Sequence, residues 1–194
     1  MVGNWSIKMT MEELSLHILD IAENSVAAKA DRIEIKILEN REKDLLSVEI
    51  SDNGLGMDEE MKKKALDPFF TTKMSRRFGL GLPLLSEAAK AANGSFSIKS
   101  QKGKGTKIKA TFQYSHIDRQ PLGDIAQTII ALAIGNPGVD IIYKHKKDGQ
   151  NYGLDTRKIK NRLRGKPINS PEGIRMLKEN LKNDTQEKPT GGEK

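Results

Sequence analysis

The chain has 194 residues, 36% of them hydrophobic and 30% charged, with a net charge of +7. That length suits one domain of ordinary size with a small addition. The absence of cysteine excludes disulfides, thiolate metal sites and a Cys nucleophile. The longest apolar cluster, IIALAI at 129–134, is far shorter than the roughly 18 residues of a membrane span, and MVGNWSIKM at the start lacks the apolar core of an export signal, so a cytoplasmic protein with no membrane contact is expected.

Thr10 followed by Glu13 is a capping-box signature. Leu14, Ile18, Ile21, Ala22, Ser25 and Val26 then recur at helical spacing, predicting a helix to about residue 28 or 29. RIEIKIL (32–38) alternates apolar and charged residues, the pattern of a half-buried strand, and LLSVEIS (45–51) predicts its antiparallel neighbour across a polar turn at 40–43. SDNGLGM follows and reads as a turn, rich in residues that tolerate left-handed backbone. Asp58 caps a short charged helix with Glu59–Lys63 and Glu60–Lys64 pairs expected one turn apart. DPFFTTKMSRRFGLGL (67–82) has no period and reads as a loop. LPLLSEAAKAAN (82–93) is helical and stops at Asn93-Gly94. SFSIKS and TKIKATFQY are strands joined by a QKGKG hairpin.

Pro121 marks a boundary. An amphipathic helix is expected over 122–136, a hairpin over 139–154 turning at Asp148-Gly149, a basic helix capped by Asp155 or Thr156, and a last helix from Ser170-Pro171-Glu172 to about Leu181. This order predicts a two-layer α/β sandwich with a mixed, mostly antiparallel sheet over residues 1–117. A small α+β appendage (helix, hairpin, two helices) over 118–183 and a disordered tail at 184–194 complete the expected organisation. The basic excess belongs to the later part: residues 1–117 hold 18 Lys and Arg against 16 Asp and Glu, and residues 118–194 hold 15 against 10. A solvated surface explains that excess, and so does an acidic partner.

Four segments gain meaning from one another: DIAENS (20–25), DNGLGM (52–57), DPFFTTK with GLGL (67–82), and GKGT (103–106). In this order they resemble the N, G1, F, G2 and G3 boxes of the GHKL ATP-binding family, which includes histidine kinases, MutL, DNA gyrase and the 90-kDa heat-shock chaperone. DPFFTTK with GLGL looks like the histidine-kinase branch, and ENS looks like MutL and gyrase. The resemblance spans roughly residues 10–115 and implies the GHKL fold and the cofactors ATP and Mg²⁺.

By that resemblance Asn24 is the metal ligand; Mg²⁺ takes few protein oxygens when a triphosphate supplies others. Asp20, one turn earlier on the same helix face, matches the Glu that acts as general base in the MutL-like branch, although Asp is a methylene shorter; Glu23 is the alternative. Asp52 would accept a hydrogen bond from the adenine amine, with Gly54 and Gly56 making room and Met57 packing on the purine. Thr71, Thr72 and Lys73 would border the triphosphate, and Thr106 would lie at the adenine and phosphate edge. Gly79, Leu80, Gly81 and Leu82 would present free backbone N–H groups to phosphate at a helix start. Arg77 stands where histidine kinases carry the first glycine of Gly-x-Gly-Leu-Gly-Leu.

A histidine kinase also needs a phosphoacceptor His on a dimerisation hairpin. None of His17, His116 and His145 has the sequence setting of one, so an acceptor is expected on another chain. Three functions follow: a kinase or ATPase acting on a partner protein or water, a nucleotide-gated binding module, and a nucleic-acid regulator using the basic residues 155–181, which lack aromatic interleaving. The third is the weakest, and nucleic acid is not expected as a partner. A partner protein is expected through 118–183, and a homodimer is left open.

Overall fold

The computed structural model describes residues 13–67 and 81–185. Twelve elements follow in order: α1 (Leu14–Ala27), β1 (Arg32–Asn40), β2 (Leu45–Asp52), α2 (Glu59–Ala65), α3 (Gly81–Ala91), β3 (Phe96–Gln101), β4 (Gly105–Gln113), α4 (Ile125–Gly135), β5 (Asp140–Lys147), β6 (Gln150–Asp155), α5 (Thr156–Arg162) and α6 (Pro171–Thr185). The six strands form one sheet in the order β3-β4-β2-β1-β5-β6. Only β1 and β5 pair in parallel; the other four pairings are antiparallel. The mixed, mostly antiparallel two-layer sandwich expected from the sequence is what the chain forms.

The alternation in β1 explains the layering. Ile33, Ile35 and Ile37 are buried, while Glu34 and Lys36 between them face away. Register carries the buried side across the sheet through Val48 and Ile50 of β2, Ile108, Ala110 and Phe112 of β4, and Ile141 and Tyr143 of β5. Apolar residues of α1, α3, α4 and α6 pack on that side in one continuous core. Burying such a side chain contributes about 1.5–3 kcal/mol.

The expected C-terminal appendage has the elements assigned to it, but its hairpin joins the first sheet. Ile33 lies beside Ile141, Ile35 beside Tyr143 and Ile37 beside His145. The pairing removes what would be an unpaired edge on β1, a row of N–H and C=O groups open to other chains. Ile129, Leu132, Leu177 and Leu181 share the common core, so these residues extend the first layer structure. α6 also runs to Thr185, past the expected end near Leu181 and into the stretch expected to be disordered.

The turn signals acted locally as the sequence implied. Asn93 is left-handed (φ 53°), and the Gly94 N–H donates to the Ala89 carbonyl at 2.8 Å, closing α3. Asp148 and Gly149 both have positive φ, the geometry of a tight two-residue hairpin. Asp58 accepts from the Met61 N–H at 2.9 Å and Asp155 from the Arg157 N–H at 3.0 Å. Two details differ. Glu59 pairs with Lys62 at i+3 rather than with Lys63, and Glu13 caps α1 without a side-chain hydrogen bond. Thr10 lies outside the described residues.

At the end of β1 away from the glycine turn, a polar group enters the core. Glu39 and His145 are both buried and meet at 2.8 Å (Oε1 to Nε2), and the other ring nitrogen of His145 lies 3.0 Å from the Tyr143 hydroxyl. The hydrogen bond from His145 holds the Glu39 carboxyl below its ordinary 4.5, against burial, which would raise it. A depressed acid stabilises the fold fully above its ordinary value and loses that contribution as pH falls through the folded value. Urea unfolding of wild type should therefore show falling stability below about pH 4.5 that Glu39→Gln lacks, and His145→Ala should lose about 3 kcal/mol at neutral pH by leaving a buried carboxylate without its partner. A flat acid limb in wild type would refute the first expectation.

Candidate nucleotide site

The site is built where α1 ends and β2 exits. Asp52, the last residue of β2, faces the helix layer, because register puts it beside Ile33 on one side and Thr106 on the other. Its Oδ2 accepts from the Ser25 hydroxyl at 2.7 Å; its Oδ1 accepts from the Gly54 N–H at 2.9 Å and the Thr106 N–H at 3.3 Å. A carboxylate has about four lone-pair sites. Three are taken here, and the position left can accept one more donor from a ligand.

Three glycines permit the close packing around Asp52. A Cβ on Gly54 would lie 2.7 Å from the Ala28 carbonyl oxygen; on Gly56 (φ +64°) it would lie 2.0 Å from the Gln101 carbonyl oxygen; on Gly105 (φ +86°) it would lie 2.0 Å from the Asp52 carbonyl oxygen. The glycine turn is thus wedged between the end of α1 and the β3–β4 hairpin. The Leu55 N–H donates to the Ala28 carbonyl at 2.8 Å, and the Gly103 N–H to the Leu55 carbonyl at 2.6 Å. Asn53 fixes the turn's other flank by accepting from the Asp31 and Arg32 N–H groups at 3.2 and 3.0 Å.

One turn of α1 brings in the other group. Asp20 is buried at 6% exposure, and a Cβ on Gly81 would sit 1.9 Å from Asp20 Oδ2. The first residue of α3 is therefore packed directly on this carboxylate. Asn24, one turn later, is half-buried, and its side chain makes no hydrogen bond among the described residues. Leu82 packs its side chain against the core, so any contact it makes to a phosphate comes from its backbone.

The structure brings together Asp20, Asn24, Asp52, Gly54, Gly56, Met57, Gly81, Leu82 and Thr106 around these contacts. Thr71, Thr72, Lys73, Gly79 and Leu80 lie outside the described residues, as do Phe69, Phe70, Arg76 and Arg77. Two residues escaped the sequence reading as parts of the site. Ser25 follows Asn24 and was read as part of the helix stripe and of the DIAENS segment without a role of its own, yet it clamps Asp52. Ser100 accepts from the Met57 N–H at 2.7 Å, donates to the Gly105 carbonyl at 3.0 Å and meets the Thr106 hydroxyl at 2.9 Å. Ser100 sits in an ordinary alternating strand and carries no sequence signal.

Comparison with known proteins identifies the family of this fold. The family model for histidine kinase-, DNA gyrase B- and HSP90-like ATPases matches residues 8–116. The chain belongs to that GHKL ATPase family, and its domain is related to those of histidine kinases. It is 32% identical over 90 residues to the sensor histidine kinase YxdK of Bacillus subtilis, covering 44% of this chain and 27% of that protein. It is 38% identical over 100 residues to the histidine-protein kinase AtoS of Escherichia coli, covering 51% of this chain and 16% of that protein. The match thus spans about a quarter or less of these relatives. The N-terminal domain of a DNA repair protein shares the fold at a TM-score of 0.50 and 17% identity, over 75% of this chain and 53% of that one. Among the described residues, no helix is long and apolar enough to cross a membrane.

The clamp makes two variants informative. Ser25→Ala removes the hydroxyl on Asp52 Oδ2 and should lower unfolding stability by about 1.5–3 kcal/mol in urea and weaken ATP binding by about 1 kcal/mol, read by titration calorimetry. Gly56→Ala places a methyl into the Gln101 carbonyl at positive φ and should lower unfolding stability by at least about 1 kcal/mol in urea. A Gly56→Ala protein as stable as wild type would contradict the wedge described above.

Proposed function

We propose that this chain binds Mg-ATP at the Asp20–Asn24–Asp52 face and passes the γ-phosphoryl to a partner protein or to water. The observation that carries the reading is the convergence of a prepared acceptor, Asp52, with Asn24 and the Gly81 end of α3 on one side of α1. Asp52 reads the adenine amine through its remaining acceptor position. Thr106 and the Gly54–Gly56 turn border the base.

The donor set suits Mg²⁺. Among the described residues no cluster of three His, Cys, Asp or Glu could hold a metal by itself, so a hard cation here is one shared with phosphate oxygens, and the Asn24 amide oxygen, without a hydrogen bond among the described residues, can supply one ligand. When bound, the ion would neutralise charge on the β- and γ-phosphates. Gly81 starts a helix of 11 residues, whose N-terminal N–H groups favour phosphate.

Asp20 is the residue proposed to orient or deprotonate an attacking water, with Glu23, half-exposed on the neighbouring face, as the alternative. Two of the three histidines, His17 and His145, are enclosed in a way that suits an acceptor on another chain, whereas His116 is partly exposed. His17 is 1% exposed, held by Gln120 at 3.0 Å, and burial pushes its pKa below the ordinary 6.5; His145 is equally enclosed by Glu39 and Tyr143.

One observation favours a second reading, a nucleotide-gated binding module with little turnover. Asp20 is buried and packed directly beneath Gly81, the first residue of α3, which leaves an attacking water little room at its Oδ2. ATP binding and ADP release, measured for wild type, Asp52→Asn, Asn24→Ala and Asp20→Asn, separate the two. Asp52→Asn should bind ATP about tenfold more weakly, consistent with losing a hydrogen bond to a charged group; wild-type affinity in that variant would overturn the adenine assignment. Asp20→Asn should keep binding and lose ADP release. If wild type and Asn24→Ala both stay at background with candidate partners present, turnover fails and the module reading stands.

A further inference from the structure

The helices leave one face of the sheet uncovered among the described residues, and that face is built of lysine. Register aligns two rows across all six strands. One runs Ser97, Lys109, Glu49, Lys36, Lys144, Gly153; the next runs Lys99, Lys107, Ser51, Glu34, Ile142, Asp155. Lys146 lies beyond the first row, beside Leu38. The sequence placed the basic excess after residue 118. Folding sets Lys144 and Lys146 from that part beside Lys36, Lys107 and Lys109 from the earlier one.

The arrangement costs stability in isolation. Lys99 stands directly opposite Lys107, and Lys36 directly beside Lys144; like charges in such positions repel. Glu34 and Glu49 offset part of this. Glu34 bonds Lys144 at 2.7 Å and Lys36 at 3.1 Å, and Glu49 bonds Lys107 at 2.8 Å and Lys36 at 3.5 Å. Lys99, Lys109 and Lys146 are exposed and make no ion pair among the described residues. A hollow of about 530 Å³ lies between Lys109, Lys36, Lys144 and Lys146, floored by Leu38. It is on the opposite side of the sheet from Asn24.

We propose that this lysine face docks an acidic surface of a partner protein. The stretches of this sequence outside the described residues offer no acidic complement: 186–194 holds two Glu against two Lys, 1–12 one Lys against one Glu, and 68–80 is basic. A protein fits better than a nucleic acid. Burial alone would raise the carboxyls of Glu34 and Glu49, but hydrogen bonds from Lys144, Lys107 and Lys36 hold both below their ordinary value. Two fixed negative charges in the middle of the face oppose a continuous run of phosphates, while a protein can meet them with its own cations. The two rows contain no aromatic ring, the group on which single-stranded bases stack, and of the Phe, Tyr and Trp residues Tyr152 alone lines the hollow. Lys99 and Lys107 also border the depression that holds Asp52 and Thr106, so binding is read without ATP present, which keeps the test separate from the nucleotide reading.

The test uses the full chain and labelled poly-L-glutamate, with a labelled DNA duplex as the second probe, followed by fluorescence anisotropy over a salt series. Wild type should bind poly-L-glutamate with an affinity that falls with salt. The variant K99E/K109E/K146E should weaken it by about tenfold or more, whereas K158E/R162E/K178E, which makes the same charge change on α5 and α6, should stay within about twofold. K99Q/K109Q/K146Q gives the same comparison should the reversed variant fail to fold, as judged by circular dichroism. Equal weakening by both sets, or no binding by wild type at low salt, overturns the proposal. Tighter binding of duplex than of poly-L-glutamate, lost with the same three lysines, overturns it in favour of nucleic acid.

Discussion

The contact on which the rest depends is the one between the end of α1 and the exit of β2. The Ser25 hydroxyl on Asp52 and the Leu55 N–H on the Ala28 carbonyl fix the helix against the sheet in both position and rotation. A helix residue turns about 100° for each step along the chain. With Ser25 pinned to the sheet, Asn24 must lie to one side of it, and Asp20 must lie one turn back beneath Gly81. A rotation by a single residue would break the Asp52 hydrogen bond and turn both groups away from α3. The three glycines around the turn are what allow so short a separation. Each of them faces a backbone carbonyl oxygen closer than any Cβ tolerates.

How much of this was legible follows the range over which each signal acts. The alternation of RIEIKIL, the Asn93-Gly94 stop and the Asp148-Gly149 turn are local, and they placed the strands and turns. The order of the glycine segments was legible as well, because the close approaches they make need glycine and leave little substitute. Parallel pairing of β1 with β5 was not. The partners Ile33 and Ile141 are more than a hundred residues apart, and a hairpin at 140–155 reads the same whether it builds its own sheet or extends another. Ser100 was invisible for a different reason. Its work is done by geometry that other residues create, since it needs Met57, Gly105 and Thr106 folded around it before its hydroxyl has partners.

The two ends of the central strands are built on opposite principles. At the Asp52 end, Asn24 makes no side-chain hydrogen bond among the described residues and Asp52 retains an acceptor position. At the Glu39 end the polar groups are consumed internally. Glu39, His145 and Tyr143 satisfy one another, Tyr114 lies under the guanidinium of Arg119 at 4.8 Å, and Asp44 accepts from Ser115 and Gln113. Buried polar groups are stable only when paired. That difference in satisfaction, more than any difference in composition, separates the end proposed to hold nucleotide from the end that is paired within itself.

The linker between β4 and α4 ties the later elements back to the same helix. The N–H groups of Leu14 and Ser15, at the first turn of α1, donate to the carbonyls of Pro121 and Leu122 at 3.0 and 2.9 Å, supplying partners that a helix start otherwise lacks. Gln120 reaches the buried ring of His17 one turn before Asp20. The helix is thus held at its start by the segment leading to α4 and at its end by Asp52, with Asp20 and Asn24 between the two anchors. Between those anchors Asp20 packs on Gly81, the first residue of α3. The segment after residue 118 is thus bonded to the start of the same helix that carries Asp20 and Asn24, even though its own elements lie at the other side of the sheet order.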